Sequence, residues 1–343
     1  MKSKFLWLPL GDENLASSRL RCFVLNRELN KMGISSKIGL FGFASIYVIQ
    51  KRLDFKALFF VFMARLIGGK IILDIDDVLL NNIDWKNRVR YFAKVVDAIT
   101  TATEEQMKIV KNCLYTKDLD NISYFVFENP IDYYNESISP TSVISNDGNL
   151  RVGWFGNSAN FNLYNEFEEI SNMGYSIVII SDENPYSNID NKININFVKW
   201  NKSTFELDLM NNVDVCILSH FGGTLVNSKS ANKLVASIYL GVPVIASSTP
   251  AYSRMLNLLS KSDYLYSSTS ELVYKLSKLS DSNERKKYLE IRNTVEFAGF
   301  FPNNVANNFC EFSNNLKFNN AFNWISIVNI FSYLGSSKFK KII

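Results

Sequence analysis

Short apolar runs alternate with longer amphipathic stretches along most of these 343 residues, and the alternation occurs in two series. In the first, Phe5–Leu10, Lys37–Leu40, Ile46–Gln50, Lys70–Ile75, Ala98–Thr101 and Ser123–Phe127 read as strands. Leu15–Lys31, Phe55–Ile67, Trp85–Val96 and Glu104–Leu114 read as the helices between them. Strands that alternate with helices predict parallel sheets with helices on both faces, because a parallel pair needs a crossover. The pattern lapses over Tyr133–Asn149, where Ser, Asn, Pro140 and Asp147-Gly148 mark a linker, placed at 136–149. It then resumes with strands at Leu150–Phe155, Ser176–Ser181, Ile195–Val198, Asp214–Leu218, Val242–Ala246 and Asp263–Tyr266. Helices are expected at Tyr164–Met173, Thr204–Asn211, Ser230–Leu240, Tyr252–Leu259, Ser270–Leu279 and Asn283–Ala298. The expected fold is α/β, two Rossmann-like doubly wound parallel-sheet domains. One covers 1–135 and the other 150–300, with further helices at 301–343.

A chain of this length with 47% hydrophobic residues can bury two cores of ordinary size. The net charge is +4, without the clustered basic stripe that nucleic-acid binding needs. Cys22, Cys113, Cys216 and Cys310 lie far apart in apolar surroundings and form no CxxC pair, so reduced buried thiols are expected. The start MKSKFLWLPLGDEN loses its apolar character within a few residues and reads as a strand, not a signal peptide. A cytoplasmic place is the expectation.

The segment Asn227–Pro250, NSKSANKLVASIYLGVPVIASSTP, carries the most chemistry. A polar, basic loop leads into a helix, Gly241 stops it, and a buried strand follows. Lys229, Ser230, Asn232 and Lys233 cluster at the helix start, where backbone N–H groups and the dipole favour an anion such as a diphosphate. The string resembles the donor-site element of GT-B glycosyltransferases, among them bacterial surface-polysaccharide members (the glycogen-synthase-like, group 1 type), over about residues 1–315. The resemblance implies two sheets facing a cleft, a nucleoside-diphosphate-sugar donor, no cofactor and no metal, and a glycan or lipid-linked acceptor. Many members have Glu-x7-Glu in this element; here the two positions hold Ser228 and Ala236.

The resemblance also nominates further donor-side residues: Gly156 and Asn157 after the first strand of the second series, Lys199 and Trp200 at a strand end, and His220, the one histidine. On the first domain it nominates Gly11, Arg19, Thr103 and Asn129 as lining the cleft, with Thr103 also a helix cap. Arg19 and Arg21, two apart, do not share a helix face, so one of them is expected at the surface.

Asp74-Ile75-Asp76-Asp77 admits three readings. It could be a D-x-D metal pair, the first motif of a haloacid-dehalogenase-type phosphatase, or a strand end whose Asp76 and Asp77 serve the acceptor hydroxyl. For the chain as a whole, a sugar-nucleotide epimerase and a catalytically inactive binding partner compete with sugar transfer. The run Ala321–Leu334 is too short to cross a bilayer. With Trp324, Tyr333, Lys338, Lys340 and Lys341 it suits either a peripheral helix at the inner face of a membrane or a helix packed back on the first domain.

Overall fold

The computed structural model describes residues 3–79, 82–114, 120–132, 149–187, 193–219, 224–319 and 322–335. The chain divides into two compact units. The first comprises Met1–Asp132, Ser228–Ser230 and Phe301–Ile343, and the second Tyr133–Asn227 and Ala231–Phe300. Of the expected linker only Asn149 lies among the described residues.

The first unit is built on six parallel strands: β1 (Ser3–Leu8), β2 (Ser36–Ile38), β3 (Ala44–Gln50), β4 (Lys70–Ile75), β5 (Ala98–Thr101) and β6 (Ser123–Val126), in the order β2-β1-β3-β4-β5-β6. Side chains alternate between faces with period two. Leu6, Leu8, Tyr47, Ile49, Ile71 and Leu73 enter one core, and Phe5, Trp7, Ile46, Val48 and Ile72 the other. Helix α1 (Leu25–Lys31) covers the second face through Leu25 and Leu29; α2 (Phe55–Leu66), α3 (Ile83–Ala93) and α4 (Glu104–Cys113) cover the first. Asp54 and Thr103 cap α2 and α4 by accepting from Ala57 N–H and Gln106 N–H.

The expected helix Leu15–Lys31 is not regular. A turn at Ala16–Ser18 passes into a π-helical stretch, Arg19–Val24, before α1. Both arginines of this stretch, Arg19 and Arg21, are buried.

The second unit repeats the plan with β7 (Arg151–Gly156), β8 (Ser176–Ser181), β9 (Ile195–Lys199), β10 (Val215–Leu218), β11 (Val244–Ser247) and β12 (Leu265–Tyr266). All are parallel, in the order β12-β11-β10-β7-β8-β9, which is the doubly wound arrangement with its reversal between β7 and β10. Its main helices are α5 (Tyr164–Asn172), α6 (Phe205–Asn212), α7 (Asn232–Tyr239), α8 (Pro250–Leu258), α9 (Thr269–Leu279) and α10 (Ser282–Leu289). The long helix expected at Asn283–Ala298 breaks after α10 into a 3-10 turn, Glu290–Asn293, and a short helix, Val295–Ala298. Thr294 stops the run by capping the last piece through Phe297 N–H.

Two more helices, α11 (Pro302–Asn314) and α12 (Trp324–Gly335), belong to the first unit. Ile327, Ile330 and Leu334 of α12 are buried in the core under α2 and α3, so the packed alternative for this helix is the observed one. All four cysteines are buried and unpaired with one another.

Candidate functional site

In the first unit the polar groups gather at the carboxyl ends of the strands, beginning where β1 and β3 lie side by side. Gln50 ends β3. Its side-chain oxygen accepts from Leu10 N–H (2.9 Å) and Ser18 Oγ (3.1 Å), and its amide donates to Asp76 Oδ1 (3.2 Å). Ser18 Oγ accepts from Gly11 N–H at 3.0 Å, which fixes the turn after β1. Gln106 Nε2 donates to the Asp76 carbonyl at 2.7 Å. Asp76 is therefore held at both backbone and side chain, and neither glutamine was singled out from the sequence. A polar residue closing the apolar run of β3 was the available signal for Gln50.

Asp74, Asp76 and Asp77 do three different jobs. Asp74 is fully buried in an ion pair with Arg21 and accepts from Thr100 Oγ1 at 2.7 Å. Arg21 also donates to the Phe127 carbonyl (2.6 Å) and Asn129 Oδ1 (3.3 Å), and its guanidinium stacks 3.5 Å from the Phe127 ring centroid. Arg19 is buried too, bonded to Asp132 at 2.8 Å and to the Glu13 carbonyl at 2.7 Å. Neither arginine is a surface residue, contrary to expectation, because each has a carboxylate waiting inside the unit. An Asp74 so enclosed is not placed to be a phosphatase nucleophile.

Asp76 is half-buried, and its carboxyl is pushed up to about 6. Burial is the main cause and the Asp74 charge adds to it, while Lys51 and Arg21 pull the other way. Asp77 is also burdened by burial, yet Lys51 and Lys229 outweigh it and hold the carboxyl below its usual range. Lys51 forms one ion pair with Asp77 and Lys229 the other, at 3.0 Å. The backbone of Lys51 is left-handed (φ 60°), a conformation that costs a long side chain of order 1 kcal/mol and turns β3 toward Asp77. Of the two acids nominated as catalytic, Asp76 keeps the character of a base near neutral pH and Asp77 is an anchor.

Lys229 and Ser230, expected on the donor side, both make contacts within the first unit. Residues 228–230 belong to the first unit. Thr103 Oγ1 donates to the Ser228 carbonyl (3.1 Å), Asp77 takes Lys229, and Asn129 Nδ2 donates to Ser230 Oγ (3.1 Å). Three strand-end side chains thus hold three consecutive residues. Helix α7 accordingly begins at Asn232, two residues later than expected, and its N-cap residue, Ala231, has no side-chain group to cap it.

In the second unit Lys233, in the first turn of α7, donates to the Phe155 carbonyl at 2.9 Å and lies 5.2 Å from the Trp154 ring centroid. A Cβ at Gly156 would collide with the Lys233 Nζ and meet Trp154 at 3.0 Å, so glycine is required for the ammonium to reach the end of β7. This is the reversal point of the second sheet, where open α/β sheets bind ligands. The neighbouring loop differs from expectation. Asn157 caps the turn Ser158–Asn160 and donates its Nδ2 to Asp182 at 2.8 Å. Asp182 also accepts from Ser158 N–H at 2.7 Å, and that bond above all holds its carboxyl below the usual range. Asn157 thus ties the loop to a charged carboxylate, which disfavours a phosphate beside it. Lys199 is exposed at the end of β9, the sheet edge, and Trp200 beside it is half-buried. His220 lies outside the described residues.

No family model matches the chain, and no curated protein matches it in sequence. Solved structures do match in shape. The chain superposes over 91% of its length on all of Anabaena HepE, solved in complex with UDP, with TM-score 0.63 and 10% identity. The fold is GT-B. A glycosyltransferase from Rickettsia africae gives TM-score 0.62 at 11% identity, covering 91% of this chain and 98% of that one. WaaG, a glycosyltransferase involved in lipopolysaccharide biosynthesis, gives 0.56 at 10% identity over 90% and 99%. At such identity the likeness carries the GT-B architecture, and the residue roles rest on the geometry above.

Proposed function

We propose that this GT-B chain is a glycosyltransferase that moves a sugar from a nucleoside-diphosphate donor to a hydroxyl of a glycan or lipid-linked acceptor. The observation that carries the reading is Asp76, a carboxylate fixed by Gln50 and Gln106 and tuned to about 6 at the strand ends. The UDP in HepE and the glycosyltransferase descriptions of the other neighbours support it. Asp76 takes the proton of the acceptor hydroxyl as its oxygen bonds the anomeric carbon. The bond from that carbon to the diphosphate breaks, and its electron pair leaves with the nucleoside diphosphate. Lys233 and the start of α7 offset the charge that develops there.

Binding measurements with a panel of nucleoside diphosphates, followed by a donor-turnover assay, test the proposal. Micromolar binding of one diphosphate and release of sugar from its donor are expected. Failure to bind any would refute it, and binding without any turnover would favour the inactive partner, a reading to which Asp182 lends weight. Lys233→Ala should weaken diphosphate binding by about 1.5–3 kcal/mol, the range for hydrogen bonds to a charged group, and leave the bare nucleoside nearly unaffected. Equal loss for both would assign Lys233 to holding α7 in place. Transfer is also expected to persist in excess EDTA, because Lys233 and a helix dipole supply the positive charge. Loss of activity in EDTA and its return with Mg²⁺ would move that role to a metal.

A further inference from the structure

The first unit has a second polar hollow, at the opposite end of its sheet from Asp76. Lys4 of β1, Ile46 of β3 and Lys70 of β4 stand near the amino ends of three adjacent strands and line an open cavity of about 640 Å³. Asn314, at the end of α11, and Phe318 beyond it line the same cavity, and the exposed Ser45 adds a hydroxyl. Lys70 begins β4 and Asp76 follows its last residue, so the six residues of that strand, about 20 Å, separate the cavity from the candidate base. A ligand held here is not the one whose hydroxyl Asp76 serves.

The two ammonium groups have only neutral partners. Lys4 Nζ donates to Cys310 Sγ at 3.3 Å, a weak acceptor, and Lys70 Nζ donates to the Leu316 carbonyl. Neither lysine has an ion pair among the described residues, and no acid is among the residues that line the cavity. Leu316 lies just past the carboxyl end of α11, whose dipole amounts to about half a negative charge, so the two positive charges are offset only in part. Asp97, which accepts from Asn319 N–H at 2.7 Å in the loop after α11, is taken by Arg65. The Phe318 ring is 49% exposed, with Lys70 Nζ 5.4 Å from its centroid. The Ser45 hydroxyl and the Asn314 side-chain amide make no hydrogen bond among the described residues.

We infer that this cavity holds a small phosphorylated polyol, a sugar phosphate by chemical class. Lys4 and Lys70 rise from the strands on either side of β3, and their flexible stems let both charges close on one phosphate above Ile46. Exchanging a sulfur and a neutral carbonyl for phosphate oxygens strengthens both bonds. The Ser45 hydroxyl and the Asn314 amide meet the polyol hydroxyls, and the Phe318 ring covers its C–H face, the usual division between a few polar groups and an apolar wall. The inference does not depend on the proposed transfer reaction.

Calorimetric titration of the full chain with ribose 5-phosphate decides it. At low salt a Kd below about 1 mM is expected, weakened by about 0.5 M NaCl because the cavity is open to screening ions. Inorganic phosphate should bind at least tenfold more weakly, and ribose not at all. Lys4→Met combined with Lys70→Gln should lower the affinity for ribose 5-phosphate at least tenfold. The glutamine keeps a donor for the Leu316 carbonyl, so the melting temperature without ligand should be unchanged. Ser45→Asp changes an exposed side chain that has no partner, and the carboxylate it brings to the cavity should cause a similar loss, whether or not the lysine variant folds. Lys233→Ala should leave this affinity as it is. Failure to bind ribose 5-phosphate overturns the inference, as does binding that both cavity variants keep. Binding lost in Lys233→Ala and kept in the cavity variants would give the phosphate to the start of α7 instead. Equal affinity for inorganic phosphate would overturn the class of ligand, since Phe318 and Asn314 would then contribute nothing.

Discussion

Asp76→Asn is expected to lower the transfer rate by about 10²–10⁴-fold while leaving nucleoside-diphosphate binding intact, the usual loss when a positioned base is removed. Asparagine is close in shape and can still accept from Gln50 Nε2, so the change removes basicity with little disturbance of the strand end. In the wild type kcat/KM should fall about tenfold per unit below pH 6 and level off above it, following the carboxyl at about 6. A variant with more than a tenth of wild-type activity, or a wild-type profile flat through pH 5–7, would remove Asp76 from the chemistry.

The same substitution should raise stability. The folded carboxyl lies above its ordinary value of 3.8, so the folded state binds more protons between about pH 4 and 6. The stabilisation from the protonated form is complete below that window and is lost as pH rises through 6. At neutral pH the charged, half-buried Asp76 therefore costs the fold about 3 kcal/mol, at 1.36 kcal/mol per unit from 3.8 to about 6. Asparagine has no charge to bury, so the inactive variant should melt higher at pH 7 and nearly match wild type at pH 4. A base kept at a cost to the fold is what a selected function leaves behind.

Most of the scaffold was legible in the sequence. The two series of apolar runs located all the strands among the described residues, since each buried strand reads as a β-branched, apolar block between helix signals. Strand ends and loops were less legible. Nothing near Arg21 announces that its partner is Asp74, because the pair is 53 residues apart and exists only once β4 lies beside the turn after β1. Nor does Asn157 reveal Asp182, which reaches it from the end of the neighbouring parallel strand. Lys229 and Lys233 look equivalent in the string NSKSANK, and the structure separates them. Lys229 goes to Asp77, and Lys233 to the Phe155 carbonyl. Periodicity reports which face a residue is on; it says nothing about long-range charge pairing, which decided the roles at this site.

The largest loss of stability is expected from Arg21→Met. The guanidinium and Asp74 are buried together, and removing one partner leaves an uncompensated charge, a change that costs about 3–5 kcal/mol. It also strips the Phe127 carbonyl and Asn129 Oδ1 of a donor. Against a total of about 5–15 kcal/mol for an ordinary domain, the urea midpoint should fall steeply at unchanged slope. Adding Asp74→Asn should restore a large part of the loss, because the amide oxygen still accepts from Thr100 and no charge remains to be buried. The pair also acts on the base. Arg21 lowers the Asp76 carboxyl and Asp74 raises it. The acid limb of the activity profile should therefore move above pH 6 in Arg21→Met and return toward 6 or below in the double variant. A single variant within 1 kcal/mol of wild type would mean that Asp74 finds water or another cation. A profile indifferent to both substitutions would mean that the acid limb belongs to a group other than Asp76.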